Sequence, residues 1–313
     1  MILVERVTKT YGKKTAVNDL SFAVNPGVVT GFLGPNGAGK STTMRMIVGL
    51  DHPDNGSVTI DGKPYRDHVA PLHEVGALLE ARAIHPGRSA YNHLLALATT
   101  TGIPRRRIAE VLDLVGLTTV GRKRAGAFSL GMGQRLGIAA ALLADPDVLI
   151  LDEPVNGLDP EGIVWIRHLL KSLADEGRTV FISSHLISEI ALVADHLIVI
   201  GRGELIADTS VSEMQRAASG VVVQVRSPRA TELARVLLDD GVTVETGDEP
   251  GELRVSGLDA ATIGDRALAA GLAIHALIPT KVSLEEAFMQ LTHDAVEYEP
   301  TVPGQTLQEV TSR

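Results

Sequence analysis

Nine consecutive residues, Gly34-Pro35-Asn36-Gly37-Ala38-Gly39-Lys40-Ser41-Thr42, bring three glycines, a lysine and two hydroxyls together. They fit the pattern G-x-x-x-x-G-K-[ST], between the apolar run from Val28 to Leu33 and a helix-forming stretch from Thr43 to Leu50. Glycines allow a turn tight enough for successive backbone N–H groups to converge on phosphate oxygens, and the following helix N-terminus adds partial positive charge. Lys40 would reach the outer phosphates and the Ser41 hydroxyl would hold Mg²⁺. A merely structural turn needs neither residue.

Two further clusters complement that loop. The apolar run Val148-Leu149-Ile150-Leu151 ends in Asp152 and Glu153. An acidic residue after a buried strand is the expected Mg²⁺ partner of a phosphate loop, and the adjacent Glu153 can polarise a water. A second apolar run, Thr179-Val180-Phe181-Ile182-Ser183, is followed by His185 at the same predicted sheet edge. Open α/β sheets collect ligands at the carboxyl ends of their strands, so these side chains are predicted to share one site.

The elements that must position them are legible in outline. Ile2 to Val7 and Ala16 to Val24 alternate as strands joined through a turn at Tyr11-Gly12-Lys13, and Val58-Thr59-Ile60 adds another, which predicts an antiparallel sheet beside the nucleotide core. Tyr11 in that turn could stack on a base or simply pack on its neighbours. Gly76-Ala77-Leu78-Leu79 runs into Glu80. Ser89 caps a predicted helix through Ala98, and Arg105 to Val115 forms a second helix with Ile108, Val111, Leu112 and Val115 on one face. Arg105-Arg106-Arg107 reads as a solvated first turn. Phe128 to Arg135 opens a helix predicted to run to Ala144, and another extends from Pro160 to about Ala174.

Beyond residue 220 the pattern changes. Strand Val221–Arg226, helix Thr231–Asp239, strands Val242–Thr246 and Glu252–Ser256, helix Ala260–Ala270 and strand Ala273–Pro279 follow the order βαββαβ, the ferredoxin-like arrangement. Ser283-Leu284-Glu285-Glu286 is a capping box for a last helix through Leu291. Residues 293–313 lack periodicity and are expected to be mobile. The chain has 313 residues, net charge −9 and no cysteine. The charge disfavours a broad nucleic-acid surface, and the missing thiols exclude disulfides and cysteine nucleophiles. No apolar run approaches the roughly 18 residues of a spanning helix.

Taken in order, these features resemble the ATP-binding subunit of an ABC transporter over about residues 1–215. Tyr11 matches the aromatic loop, Gly34 to Ser41 the Walker A loop, Ser129 to Arg135 the signature, Val148 to Asp152 Walker B, Gly157-Leu158-Asp159 the D-loop, and His185 the switch histidine. The resemblance implies an α/β P-loop fold with an antiparallel β subdomain and a helical subdomain at about 85–145; the βαββαβ segment at 220–292 reads separately as an accessory ferredoxin-like domain for dimer stabilisation or regulation. It implies ATP and Mg²⁺ as ligands. Gly34, Pro35, Asn36, Gly37, Ala38, Gly39, Lys40, Ser41 and Thr42 would bind phosphate, Ser41 and Asp152 the metal, and Glu80 the metal or attacking water while reporting to a permease. Glu153 would deprotonate that water and His185 would hold the γ-phosphate. Ser129 and Gly131 would complete the site of a second copy in a head-to-tail dimer, with Asp159 coupling the halves.

Two positions depart from the common family pattern. Glu80 stands where a glutamine is usual, and the signature reads Phe128-Ser129-Leu130-Gly131-Met132. Both departures resemble the daunorubicin- and bacitracin-type exporters. The implied role is therefore ATP hydrolysis at the cytoplasmic face of the cell membrane, powering drug or antibiotic export through a separate polytopic permease, with no nucleic-acid partner. The competing role, a soluble ABC ATPase of translation or DNA repair, usually brings two cassettes or a long coiled-coil insert, and the sequence has neither.

Overall fold

The computed structural model describes residues 1–80, 84–217, 221–239, 241–247 and 249–281. Strands β1 (Ile2–Tyr11) and β2 (Lys14–Val24) form a hairpin, followed by β3 (Val29–Leu33), helix α1 (Lys40–Ile47) and β4 (Asn55–Ile60). β1 pairs antiparallel with both β2 and β4, giving a three-stranded sheet in the order β2-β1-β4. Its alternation is the expected one for a sheet packed on one face: Ile2, Val4, Val17, Leu20 and Val24 are buried, while Glu5 and Lys14 are exposed.

A short helix α2 (Pro71–Glu74) leads into β5 (Val75–Leu78), and three helices then form a separate layer: α3 (Ala90–Thr101), α4 (Arg105–Leu114) and α5 (Leu130–Ala141). The chain returns through β6 (Val148–Leu151), α6 (Pro160–Asp175), β7 (Thr179–Ser184), α7 (Ile187–Ile190), β8 (His196–Gly201), β9 (Glu204–Ser210) and α8 (Val211–Ala217). The main sheet runs β5-β6-β7-β3-β8-β9, parallel except for β9. Every residue of β3, β6 and β7 is buried. That follows from a parallel sheet covered on both faces, which needs continuous apolar strands rather than alternating ones.

Three of the five phenylalanines join the two sheets. Phe22 of β2, Phe32 of β3 and Phe181 of β7 have ring centroids 5.1 to 5.8 Å apart in tilted contact. On the other face, Leu94, Ile108, Val111, Leu136 and Ile138 pack the helical layer into one core with Leu149, Leu151 and Ile182. Ser89 caps α3 by accepting from Asn92 N–H at 3.2 Å, as expected.

Two expectations are corrected. Arg107 is not part of a solvated turn: its guanidinium donates to the carbonyls of Leu142 and Leu143, at 3.2 and 3.3 Å, and to Asp145 at 2.9 Å. These are the open carbonyls beyond α5, a favourable place for a cation. The helix predicted to reach Ala144 ends at Ala141; residues 142–144 form a turn, and Asp145 then takes a left-handed conformation (φ 58°) before the chain enters β6.

Beyond residue 220 a third sheet contains β10 (Val221–Arg226), β11 (Thr243–Thr246), β12 (Glu252–Ser256) and β13 (Ala276–Lys281), in the order β11-β12-β10-β13 with every neighbour antiparallel. Helices α9 (Ala230–Leu237) and α10 (Ala260–Ala269) contribute Leu233, Leu237, Ile263 and Ala267 to a core with Val223, Val225 and Val255. The last strand begins at Ala276 rather than Ala273, because its partner β10 ends at Arg226, opposite Ala276. The predicted helix at Ser283 to Leu291 and the tail from Asp294 lie outside the described residues.

The Phe22–Phe32–Phe181 contact predicts that Phe181→Ala destabilises the protein by about 3–5 kcal/mol. Urea unfolding of the full chain measures this, and a loss near zero would contradict a load-carrying junction between the sheets.

Candidate functional site

The loop between β3 and α1 has its shape enforced by close backbone contacts. A Cβ on Gly34 would lie 2.4 Å from the Ile200 carbonyl oxygen, and one on Gly39 would lie 2.6 Å from that of Ala16. Gly37 and Gly39 also have φ of 84° and 104°, conformations that other residues adopt only with strain. α1 begins at Lys40 with no side-chain cap and no acidic residue in its first turn. Its first N–H groups and positive dipole end are therefore directed at the loop without a competing carboxylate.

Lys40 is only 7% exposed. Its Nζ donates to the carbonyls of Gly34 at 2.6 Å and Pro35 at 3.2 Å, so the ammonium is fixed inside the loop that it serves. Burial pushes its pKa below the ordinary lysine value, opposed by the nearby charges of Glu153 and Asp152. A bound polyphosphate would add negative charge and favour the protonated form.

Next to Lys40, a chain of hydrogen bonds crosses the ends of three parallel strands. Ser41 Oγ donates to Asp152 Oδ2 at 2.7 Å, and Ser183 Oγ donates to Asp152 Oδ1 in a short contact. The same Ser183 oxygen accepts from the Glu153 backbone N–H at 2.9 Å. His185 Nδ1 lies 2.9 and 3.0 Å from the two Glu153 carboxylate oxygens. Asn156 Nδ2 adds a longer bond to Glu153 Oε2 at 3.3 Å, and Gln134 Nε2 donates to the Glu153 carbonyl at 3.1 Å. The parallel register Leu151↔Ile182 creates this juxtaposition, since it brings residues 152–153 and 183–185 to one edge. Glu153 itself has a φ of 50°, in the left-handed region that costs a non-glycine residue of order 1–3 kcal/mol.

Beside these groups lies a cavity of about 410 Å³, lined by Pro35, Asn36, Gly37, Gly39, Lys40, Ser41 and Thr42 of the phosphate loop, by Tyr11, Lys14 and Ala16, and by Asp152 and Glu153. The donor set suits Mg²⁺. Ser41 Oγ and Asp152 Oδ2 are hard oxygens 2.7 Å apart, close to the edge of an octahedron with ~2.1 Å bonds. Among the described residues no cluster of three or more His, Asp or Glu could hold a metal by itself. The remaining positions would come from phosphate and water, as is usual for Mg²⁺.

The structure separates the predicted residues into groups. Lys40, Ser41, Thr42, Asp152 and Glu153 meet at the cavity, with His185 behind Glu153. Tyr11 is half-exposed at its rim, with its hydroxyl donating to Asp51 Oδ2 at 2.9 Å and Arg45 Nε on the same oxygen at 2.7 Å. Gly34 and Ala38 shape the loop from behind; Ala38 donates to the Pro35 carbonyl and accepts from Gly203 N–H. Glu80 is not brought to this cavity. It borders a second groove of about 420 Å³ between the core and the helical layer, with Arg45, Tyr65, His93, Gly137 and Ala140 among its walls. Ser129 caps α5 by accepting from Met132 N–H at 3.2 Å, and Asp159 caps α6 by accepting from Gly162 N–H at 2.8 Å. Neither Ser129 nor Gly131 lines the cavity of its own chain.

Sequence reasoning missed Ser183, Asn156, Gln134 and Lys14. Ser183 and Gln134 carried a readable signal: each is a polar residue on a buried position, one ending an apolar strand and one on the apolar face of α5, where it is 2% exposed. Asn156 lies in a turn and Lys14 is the exposed first residue of β2, places where polar residues are ordinary.

The chain is similar to known proteins of one family over most of the described length. A family model described as ABC transporter matches residues 17–156, and a domain of unknown function matches residues 221–285. The bacitracin transport ATP-binding protein BcrA of Enterococcus faecalis is 42% identical over 219 residues, covering 69% of this chain and 71% of its own. An uncharacterized ABC transporter ATP-binding protein of Bacillus subtilis, YhcH, is 37% identical over 94% of this chain and 96% of its own. Among solved structures, the dimeric post-hydrolysis state of the ATP-binding cassette MJ0796, bound to ADP and Pi, matches with a TM-score of 0.63 at 26% identity, over 67% of this chain and 99% of that one.

Ser183→Ala removes one hydroxyl shared by Asp152 and the Glu153 N–H, leaving a backbone donor unpaired. The expected loss is about 2 kcal/mol in urea unfolding. Unchanged stability would show that the two carboxylate residues do not depend on it.

Proposed function

The chain belongs to the ATP-binding proteins of ABC transporters, and on that premise we propose that it hydrolyses ATP to drive export of an antibiotic or similar drug through a separate membrane permease. The observation that carries the catalytic part is the continuous series Ser41–Asp152–Ser183–Glu153–His185 beside a buried Lys40. A noncatalytic nucleotide-binding module has no need of a carboxylate held against a histidine at the phosphate end.

Phosphoryl transfer to water asks the protein for positioning and charge neutralisation rather than covalent chemistry. The loop amides and Lys40 hold the β- and γ-phosphates. Ser41 and Asp152 would hold Mg²⁺, which when bound neutralises phosphate charge. Glu153 accepts the proton of the attacking water, and its carboxylate is kept from rotating by His185 and Asn156. His185, beside that carboxylate, would hold the γ-phosphate and the water in line, and Tyr11 would offer its ring to the base. Each well-placed group of this kind is worth roughly 3–4 kcal/mol of barrier.

The assembly follows from where the remaining motif residues stand. Ser129 caps α5 away from the cavity of its own chain, and Leu130 beside it is 52% exposed. That end of α5 is available to close the phosphate site of a second copy, and the match to a dimeric cassette supports a head-to-tail pair. The second groove, with Glu80 at its edge and apolar Val48, Leu50, Leu78 and Ile84 around it, suits the permease. Among the described residues no helix is long and apolar enough to cross a membrane, consistent with peripheral attachment to the cytoplasmic face through that partner. Residues 220–292 would serve as an accessory ferredoxin-like domain that stabilises or regulates the pair.

Export of an antibiotic is favoured over work on ribosomes or DNA by the 42% identity to a bacitracin transport protein and by the net charge of −9. The test is Glu153→Gln, which keeps the shape of the side chain and removes the base. ATP binding is retained, turnover falls about a hundred-fold or more, and the ATP-loaded dimer accumulates. Turnover at the wild-type rate in that variant would overturn the assignment.

A further inference from the structure

Glu153 is gripped from three directions. Its N–H is held by Ser183 and its carboxylate by His185, both from β7 or the residue that follows it, in the same sheet as Glu153. Asn156 acts within the same loop. The third grip is different in origin: the Glu153 carbonyl accepts from Gln134 Nε2 at 3.1 Å, and Gln134 belongs to α5 in the helical layer. Among the described residues it is the one side chain from that layer that bonds to Glu153.

The contact is part of a wider seam. Gly131 is packed so closely on the turn after Glu153 that a Cβ there would lie 2.7 Å from the Gly157 carbonyl oxygen. The Leu130 side chain lies over Gly157, where an added Cβ would meet it at 2.4 Å. Thus α5 holds both ends of the segment 153–157, by a hydrogen bond at one end and by apolar contact at the other. A non-glycine residue at φ 50° persists only where its surroundings over-determine it, and a carbonyl hydrogen bond fixes the peptide plane that follows that φ.

We propose that Gln134 is a positioning residue for Glu153: through the carbonyl it sets the left-handed backbone that aims the carboxylate into the phosphate cavity. Because Ser129 and Gly131 open the same helix, a shift of α5 on engaging a second copy's nucleotide would move the grip on its own chain's base. The coupling between sites rests on the paired reading proposed above; the positioning within one chain does not. Coupling of this kind needs an element shared by both sites, and α5 is that element.

The test uses the full chain carrying Gln134→Met, which preserves length and packing and removes the donor, with Glu153→Gln run in parallel. The expected result is a fall in kcat of about ten- to a hundred-fold, the scale of a small misplacement of a reacting group. Affinity for a fluorescent ATP analogue stays within about twofold and the thermal midpoint within about 3 °C, since Gln134 does not line the nucleotide cavity and the Glu153 carbonyl still accepts from the Asn156 N–H when the amide is gone. A kcat within about twofold of wild type would overturn the proposal. So would equal losses of kcat, affinity and thermal midpoint, which mark a merely structural role. Should the methionine variant fail to fold, Gln134→Asn, which keeps the amide but withdraws it by one methylene, is read by the same criteria. An inactive Glu153→Gln beside a normal Gln134→Met rejects this inference alone; an active Glu153→Gln rejects the functional reading beneath it.

Discussion

One hydroxyl ties Asp152 to Glu153. Ser183 Oγ donates to Asp152 and accepts from the N–H of Glu153, so a single oxygen at the end of β7 sets both residues at the end of β6. That arrangement exists only in a parallel pair in this register, where the ends of adjacent strands reach the same edge. The phosphate loop arrives at the same edge because β3 is the next parallel neighbour of β7. Catalytic chemistry, sheet topology and register are therefore one constraint.

The loop imposes the complementary requirement. Gly34 and Gly39 sit where the backbone passes within contact distance of other carbonyls, and the loop's lysine is buried among carbonyls of its own loop. Burial disfavours that charge, and the neighbouring carboxylates restore part of what burial removes. The result is a cation fixed in place before an anion arrives, which lowers the reorganisation needed when negative charge develops.

Sequence legibility followed the range of the interaction concerned. The loop, the acidic strand end and His185 were readable because each is a local pattern beside a strong strand or helix signal. The strands of the main sheet were readable because burial on both faces demands continuous apolar runs, as at Val148 to Leu151. Ser183 and Gln134 were not identified, since their importance lies in partners 31 and 19 residues away. Arg107 was misread for the same reason: it looks like a surface charge until the carbonyls beyond α5 are brought beside it. Glu80 shows the converse, a motif position that the fold sends to a neighbouring groove rather than to the phosphate cavity. The departures Leu130 and Met132 acquire a physical meaning only in three dimensions, Leu130 as packing on Gly157 and Met132 against the helical core.

The central claim is that Glu153, held by His185, activates water for attack on a phosphate bound at Lys40. Single-turnover ATP hydrolysis by the His185→Ala chain tests it most directly, because nucleotide binding and product release are removed from the observed rate. The expected result is bound ATP that is cleaved about a hundred-fold more slowly than in the wild type. Cleavage at the wild-type rate would contradict it.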